Sequence, residues 1–140
     1  MRNLLKLIFI LTYLVASLVY AAENKNISPI YTEDKPVVMV SANAPQFIIK
    51  LKSNASTGYV WFLQDYNSGI ISVVKHTYQM PVDNNLIGAP GCELWTFRVT
   101  PAGLIVPRET MIRFVYIRPW EVAKDVKPLV FKVRIIAESS

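Results

Sequence analysis

The chain has 140 residues, which is enough for one domain but too few for two of ordinary size. Its composition is 52% hydrophobic and 18% charged, which excludes an intrinsically disordered protein, since disorder requires low hydrophobicity and high charge. The formal net charge is +5, but the basic residues are scattered rather than clustered, so the sequence predicts no nucleic-acid partner.

The N-terminal segment has the pattern of a secretory signal. Arg2 and Lys6 give a basic start, and residues 7–19 are almost wholly apolar. This predicts a signal peptide over residues 1–21, cleaved to leave a mature domain over residues 22–140. The alternative is a retained membrane anchor, but this apolar run is shorter than the ~20 residues needed to span a bilayer. We therefore expect a periplasmic or secreted protein with no stable membrane insertion after cleavage.

Short apolar runs, separated by Gly, Pro, Asn and Ser, follow a loosely ordered lead-in over residues 22–36. Most alternate apolar and polar residues, which predicts strands buried on one face, because successive side chains of a strand point to opposite sides. The runs cover residues 37–40, 47–52, 59–63, 71–78, 95–100, 112–116 and 129–135. The number of runs predicts an all-β sandwich of about seven to eight strands, with a β-barrel as the alternative.

The cysteine count decides how the fold is stabilised. Cys92 is the only cysteine, so no disulfide can form within the chain and core packing must hold the domain. Cys92 and His76 are a conceivable nucleophile and base, but a working pair also needs an orienting group and an oxyanion site. One histidine and one cysteine cannot complete a zinc shell. The sequence therefore predicts no enzyme, no metal and no cofactor.

Two of the connections between the predicted strands are unusual for a bare scaffold. The first loop, residues 53–59, is rich in Asn and Ser, which stabilise turns through their own side chains, and Gly58 permits a positive φ. The second loop, residues 79–92, is longer than a hairpin needs. In it, Gly88 and Gly91 leave backbone uncovered that could pair with another chain.

A third loop, residues 117–121, presents a large aromatic side chain. Pro119 restricts the backbone of Arg118 to extended geometry and stiffens the loop that carries Trp120. Exposed Trp and Arg are enriched at binding hot spots. Because consecutive antiparallel strands alternate in direction, all three loops are expected at the same end of the sandwich.

These three segments are similar, and in the same order, to the motifs of the chagasin family of inhibitors of papain-like cysteine proteases. That family has an Asn-Pro-Thr-Thr-Gly-Tyr/Phe loop, a Gly-x-x-Gly loop and an Arg-Pro-Trp/Phe loop. The resemblance extends over roughly residues 35–137 and implies an immunoglobulin-like β-sandwich. The residues it assigns to protease binding are Asn54, Ala55, Ser56, Thr57, Gly58, Tyr59, Gly88, Ala89, Pro90, Gly91, Arg118, Pro119 and Trp120.

The resemblance implies a reversible, non-covalent inhibitor that blocks the active-site cleft and is not cut. Ser56 and Thr57 would lie nearest the Cys–His pair of the protease, the glycine loop would pair through its backbone, and Trp120 would pack on an aromatic surface. The implied partner is a papain-like cysteine protease, and the inhibitor is expected to be a monomer.

Two departures from the family pattern are Ala55 in place of proline and Ser56 in place of threonine. Ala55 loosens the loop, so weaker binding is expected. The alternative function is an immunoglobulin-like adhesion or binding module without a protease target, since a fold does not determine a function.

Overall fold

The computed structural model describes residues 27–81, 89–122 and 125–136, and the predicted signal peptide lies outside these ranges. The described residues form eight strands: β1 (Ile30–Tyr31), β2 (Val37–Val40), β3 (Gln46–Ser53), β4 (Val60–Tyr66), β5 (Ile71–Gln79), β6 (Gly91–Val99), β7 (Arg108–Ile117) and β8 (Leu129–Ile135). One short helix, α1 (Pro101–Leu104), follows β6. No helix in the described ranges has the length and apolar character needed to cross a membrane.

The strands form two four-stranded sheets. Sheet A has the order β1-β3-β6-β5, and sheet B has the order β2-β8-β7-β4. Within each sheet the three longer strands are antiparallel, whereas β1 pairs with β3 and β2 pairs with β8 in parallel. The predicted all-β sandwich is confirmed, and the barrel alternative is wrong. The expected lead-in is corrected in part, because β1 lies within it.

The core fills the space between the two sheets. Its largest fully buried side chains are Phe47, Phe97, Phe114 and Phe131. The Phe114 ring meets Phe97 and Phe131 edge-on, at centroid distances of 6.2 and 6.1 Å. Cys92 is a buried free thiol, as expected for a cysteine at the start of a strand. Aromatic and aliphatic packing between the sheets therefore stabilises the domain without a disulfide.

Two edge strands contain a β-bulge, which simple alternation does not predict. In β4 the register shifts between Leu63 and Asp65, and in β5 it shifts between Val73 and Lys75. An extra residue changes the phase of a strand, so the side chain that points inward after Val73 is His76. The imidazole accordingly stacks on the indole of the core residue Trp95, at 3.8 Å between ring centroids.

The strand register brings the ends of the three loops together. Ser53, where β3 gives way to the first loop, pairs with Gly91, where the second loop returns to β6. Val60, at the start of β4, pairs with Ile117, where β7 runs into the third loop. The first loop crosses from sheet A to sheet B, so it lies between the start of β6 and the end of β7 at one end of the sandwich.

Candidate functional site

The first loop is closed by its own hydrogen bonds. Ala55–Thr57 forms a single 3-10 turn, and the side chain of Asn54 caps it by accepting from the Ser56 amide at 3.2 Å and the Ser56 hydroxyl at 2.6 Å. The Thr57 hydroxyl donates to the Asn54 carbonyl at 2.7 Å. Gly58 ends the turn with a φ of +76°, a conformation that other residues rarely adopt. The loop is therefore a preformed turn with three exposed residues at its tip.

The third loop also forms a compact turn. The Glu121 amide donates to the Arg118 carbonyl at 3.0 Å, and the two side chains approach to 3.5 Å between Nη1 and Oε1. Pro119 and Trp120 occupy the tip, and Trp120 is 73% exposed. A tryptophan this exposed is not part of the core, so the indole is available to a partner.

Arg118 connects the third loop to the first. Its Nε–H donates to the Thr57 carbonyl at 3.3 Å, and its guanidinium lies 4.6 Å from the centroid of the Tyr59 ring. Trp120 also lies over Gly58, because a Cβ added there would stand 3.4 Å from the indole Cη2. The tips of the two loops therefore form one continuous surface, and Arg118 helps to hold it together.

The second loop lies only partly within the described residues. Ala89 and Pro90 are described and Pro90 is exposed, whereas Gly88 falls in residues 82–88, outside the described ranges. The interpretation of Gly91 as uncovered backbone is corrected. Gly91 is buried as the first residue of β6, and a Cβ there would overlap the Tyr78 hydroxyl and the Gln79 carbonyl. Glycine is needed at this position for packing within sheet A.

Sequence reasoning missed the buried carboxylate beneath the first loop. Glu93 is 4% exposed, and its Oε1 accepts from the Ser53 hydroxyl at 2.9 Å and from the Trp61 amide at 3.1 Å. Its Oε2 lies 2.8 Å from His76 Nε2. An available signal was the pattern of β6, in which Glu93 shares the inward face with Trp95 and is the one charged residue there.

The structure separates the two residues of the conceivable catalytic pair. His76 stands opposite Trp95 in the sheet A ladder, and Cys92 stands opposite Gln79. Trp95 and Cys92 are three residues apart on one strand, so they point to opposite faces of the sheet. Among the described ranges, no group of three or more His, Cys, Asp or Glu residues could hold a metal ion.

Comparison with known proteins gives the family of the chain. The family model for chagasin family peptidase inhibitor I42 matches residues 42–135, which is more than half of the 140 residues. The chain belongs to the chagasin family of peptidase inhibitors. The match spans β3 to β8 and leaves β1 and β2 outside, so it is narrower than the resemblance inferred from the motifs.

Solved structures agree with this assignment. The cysteine protease inhibitor EhICP2 from Entamoeba histolytica is 27% identical, with a TM-score of 0.62 over 77% of this chain and 95% of that one. The solution structure of amebosin is 21% identical, with a TM-score of 0.58 over 78% and 98% of the two chains. PbICP-C, solved in complex with falcipain-2, is 18% identical, with a TM-score of 0.50 over 81% and 93%. No curated protein matches the chain.

Three predictions from the sequence are thereby confirmed. The fold is an immunoglobulin-like β-sandwich, the family is that of chagasin, and the chain is a cysteine protease inhibitor rather than an enzyme. The adhesion-module alternative is not favoured. The assignment of individual residues to protease binding stays a prediction. The geometry of the first and third loops shows which of these residues are exposed at the tips.

The departure at Ala55 can be tested by restoring proline. Ala55 is the first residue of the 3-10 turn, where the missing N–H of proline is tolerated, and Asn54 before it is extended, with φ −114° and ψ 95°. We expect Ala55→Pro to stabilise the domain by about 0.4–1 kcal/mol and to tighten inhibition by a few-fold, because the free loop has less entropy to lose. Urea unfolding and titration of papain measure the two effects, with Ala42→Pro in a separate turn as the control for inhibition. Weaker inhibition by Ala55→Pro would contradict the description of this loop.

Proposed function

We propose that the chain inhibits papain-like cysteine proteases reversibly, by filling the active-site cleft with its three loops and without forming a covalent bond. The observation that carries the proposal is the joint surface of the first and third loops. There the turn at Ala55–Thr57 and the exposed Trp120 stand side by side, joined through Arg118. Two such segments from separate parts of the chain make a blunt edge of the kind that a groove can accept.

The conformation of the first loop supports inhibition without cleavage. The backbone from Asn54 to Gly58 is closed by turn hydrogen bonds, including Gly58 N–H to the Ala55 carbonyl at 3.3 Å. A tight turn does not offer the extended backbone that pairs with a partner as an added strand would. The exposed side chains at the tip, Ser56 and Thr57, are small enough to approach a catalytic Cys–His pair.

The third loop would supply much of the binding energy. Burying the indole of Trp120 against an aromatic protease surface removes a large apolar area from water, and aromatic pairs add to that gain. The loop needs little ordering on binding because Glu121 and Thr57 already anchor Arg118. Ala89 and Pro90 of the second loop would contact the opposite side of the cleft.

Two further observations support a cysteine protease as the partner and export from the cytoplasm. EhICP2 is described as a cysteine protease inhibitor, and PbICP-C was solved with falcipain-2 bound. The basic start and apolar run of residues 1–21 support export to the periplasm or the medium, where the mature chain would act as a monomer.

Titration of papain with purified residues 22–140 tests the function. We expect inhibition that is reversed by dilution, with the inhibitor intact on mass spectrometry after prolonged incubation. Trypsin, a serine protease, serves as the control and should keep its activity. An inhibitor that is cut as a substrate, or no inhibition of any papain-like enzyme, would overturn the proposal.

A further inference from the structure

A single buried carboxylate holds both ends of the first loop. Glu93 Oε1 accepts from the hydroxyl of Ser53, where β3 ends, and from the backbone amide of Trp61, the second residue of β4. Glu93 belongs to sheet A and Trp61 to sheet B, so the contact also bridges the two sheets at this end of the sandwich.

Both donors depend on this carboxylate. Ser53 is 3% exposed, so its hydroxyl has little access to water. Trp61 lies on β4, the edge strand of sheet B, and its amide is directed at Glu93. Leaving a buried donor without an acceptor is costly, and hydrogen bonds to a charged acceptor are stronger than neutral ones. Removal of the acceptor therefore favours separation of the two ends of the loop.

Glu93 also connects the first loop to the start of β6, where the second loop ends. Glu93 lies two positions after Gly91, and Gly91 pairs with Ser53 in the sheet A ladder. The strand that ends the second loop thus carries the acceptor for the first. His76 completes the arrangement from β5, because its Nε2 lies 2.8 Å from Oε2 while its ring stacks on Trp95. With Oε2 occupied in this way, Oε1 is turned towards the first loop.

We propose that Glu93 is a positioning residue for inhibition, which sets the spacing between the ends of the first loop and the alignment of that loop with the start of β6. Glu93 itself is too buried to contact a protease. It acts through Ser53 and Trp61 on a turn whose tip enters the cleft. This inference rests on the proposed function, because the turn must be the part that meets the protease.

Two substitutions at Glu93 separate positioning from simple stability. Glu93→Leu keeps most of the side-chain volume but removes the acceptor, and we expect its inhibition constant for papain to rise by about 10- to 100-fold. Glu93→Gln retains a carbonyl oxygen that can accept from both donors, and it should remain within about threefold of the wild type. Inhibition is measured well below the unfolding temperature of each variant, where a loss of stability alone does not change the affinity of folded protein.

A matched control is an exposed glutamate on another strand. Glu109 of β7 accepts from Arg134 Nε at 2.8 Å, a bond that holds the pKa of this carboxyl below its usual value. Glu109 lies near the start of β7, at the opposite end of that strand from the third loop, so Glu109→Leu should leave the inhibition constant unchanged. Amide exchange gives a second readout, since the Trp61 amide should exchange faster in Glu93→Leu while amides of β7 and β8 keep their protection.

If Glu93→Leu does not fold, Ser53→Ala removes one of the two donors and should still raise the inhibition constant several-fold. The inference is wrong if the folded Glu93→Leu protein, or Ser53→Ala in its place, inhibits as tightly as the wild type. It is also wrong if Glu93→Gln loses as much affinity as Glu93→Leu, because the retained acceptor would then have no value. Failure of the wild type to inhibit papain-like enzymes would instead refute the proposed function.

Discussion

Replacing Trp120 with alanine is expected to raise the inhibition constant for papain by about 10- to 100-fold, a loss of about 1–3 kcal/mol. The indole is 73% exposed in the free protein, so its apolar surface is available to be buried in a complex. The side chain lies over Gly58, beside the turn of the first loop. Most of the loss should appear in the dissociation rate, because contacts of this kind are made after the encounter.

The control for this substitution is Ile105→Ala. Ile105 is 77% exposed, about as much as Trp120, but it follows α1 at the opposite end of the sandwich. The Ile105→Ala substitution should leave the inhibition constant for papain unchanged. Both variants should unfold at the wild-type denaturant concentration, since neither side chain is part of the core. Equal inhibition by Trp120→Ala and the wild type would show that the third loop does not meet the protease.

Replacing Phe114 with alanine should lower the free energy of unfolding by about 3–5 kcal/mol. Phe114 is fully buried on β7 and contacts aromatic rings from both sheets, including Trp61 at 6.4 Å and Trp95 at 5.4 Å between centroids. Truncation leaves a cavity between the two sheets that the surrounding side chains fill only in part. Because the chain has no disulfide, nothing covalent limits the loss.

Guanidinium unfolding followed by tryptophan fluorescence measures this effect. Phe62→Ala is the control, since Phe62 lies on the edge strand β4 and is 39% exposed, and it should cost less than about 1 kcal/mol. A loss below 1 kcal/mol for Phe114→Ala would mean that the two sheets are held together by something other than this core.

The sequence predicted the long strands well because one face of each is buried. In most of β3, β6 and β8 the buried positions recur at every second residue and are apolar, so periodicity and burial largely coincide. β4 and β5 were also located, but their bulges were not predicted, since a bulge changes the phase of a strand without leaving a mark in hydrophobicity. β1 was missed because a two-residue strand in parallel pairing has no periodicity to detect.

For the candidate site, the sequence predicted the loops but not the contacts between them. The turn residues of the first loop and the stiff Arg118–Pro119 pair carry local signals, and their positions followed from strand order. The contact between Arg118 and Thr57 did not, because the two residues are 61 positions apart and meet only through the fold. The position of Glu93 on the inward face of β6 marks it as unusual, but its partners on three other strands are identified only by the fold.

The bulges in β4 and β5 have a consequence for how the protein behaves at high concentration. These are the two longest edge strands, and a regular edge of that length is a template on which further molecules can polymerise into fibrils. A bulge breaks the repeat of free amides and carbonyls and twists the edge, so a second molecule cannot align along its whole length. A chain that is 52% hydrophobic can thus remain dispersed as it accumulates.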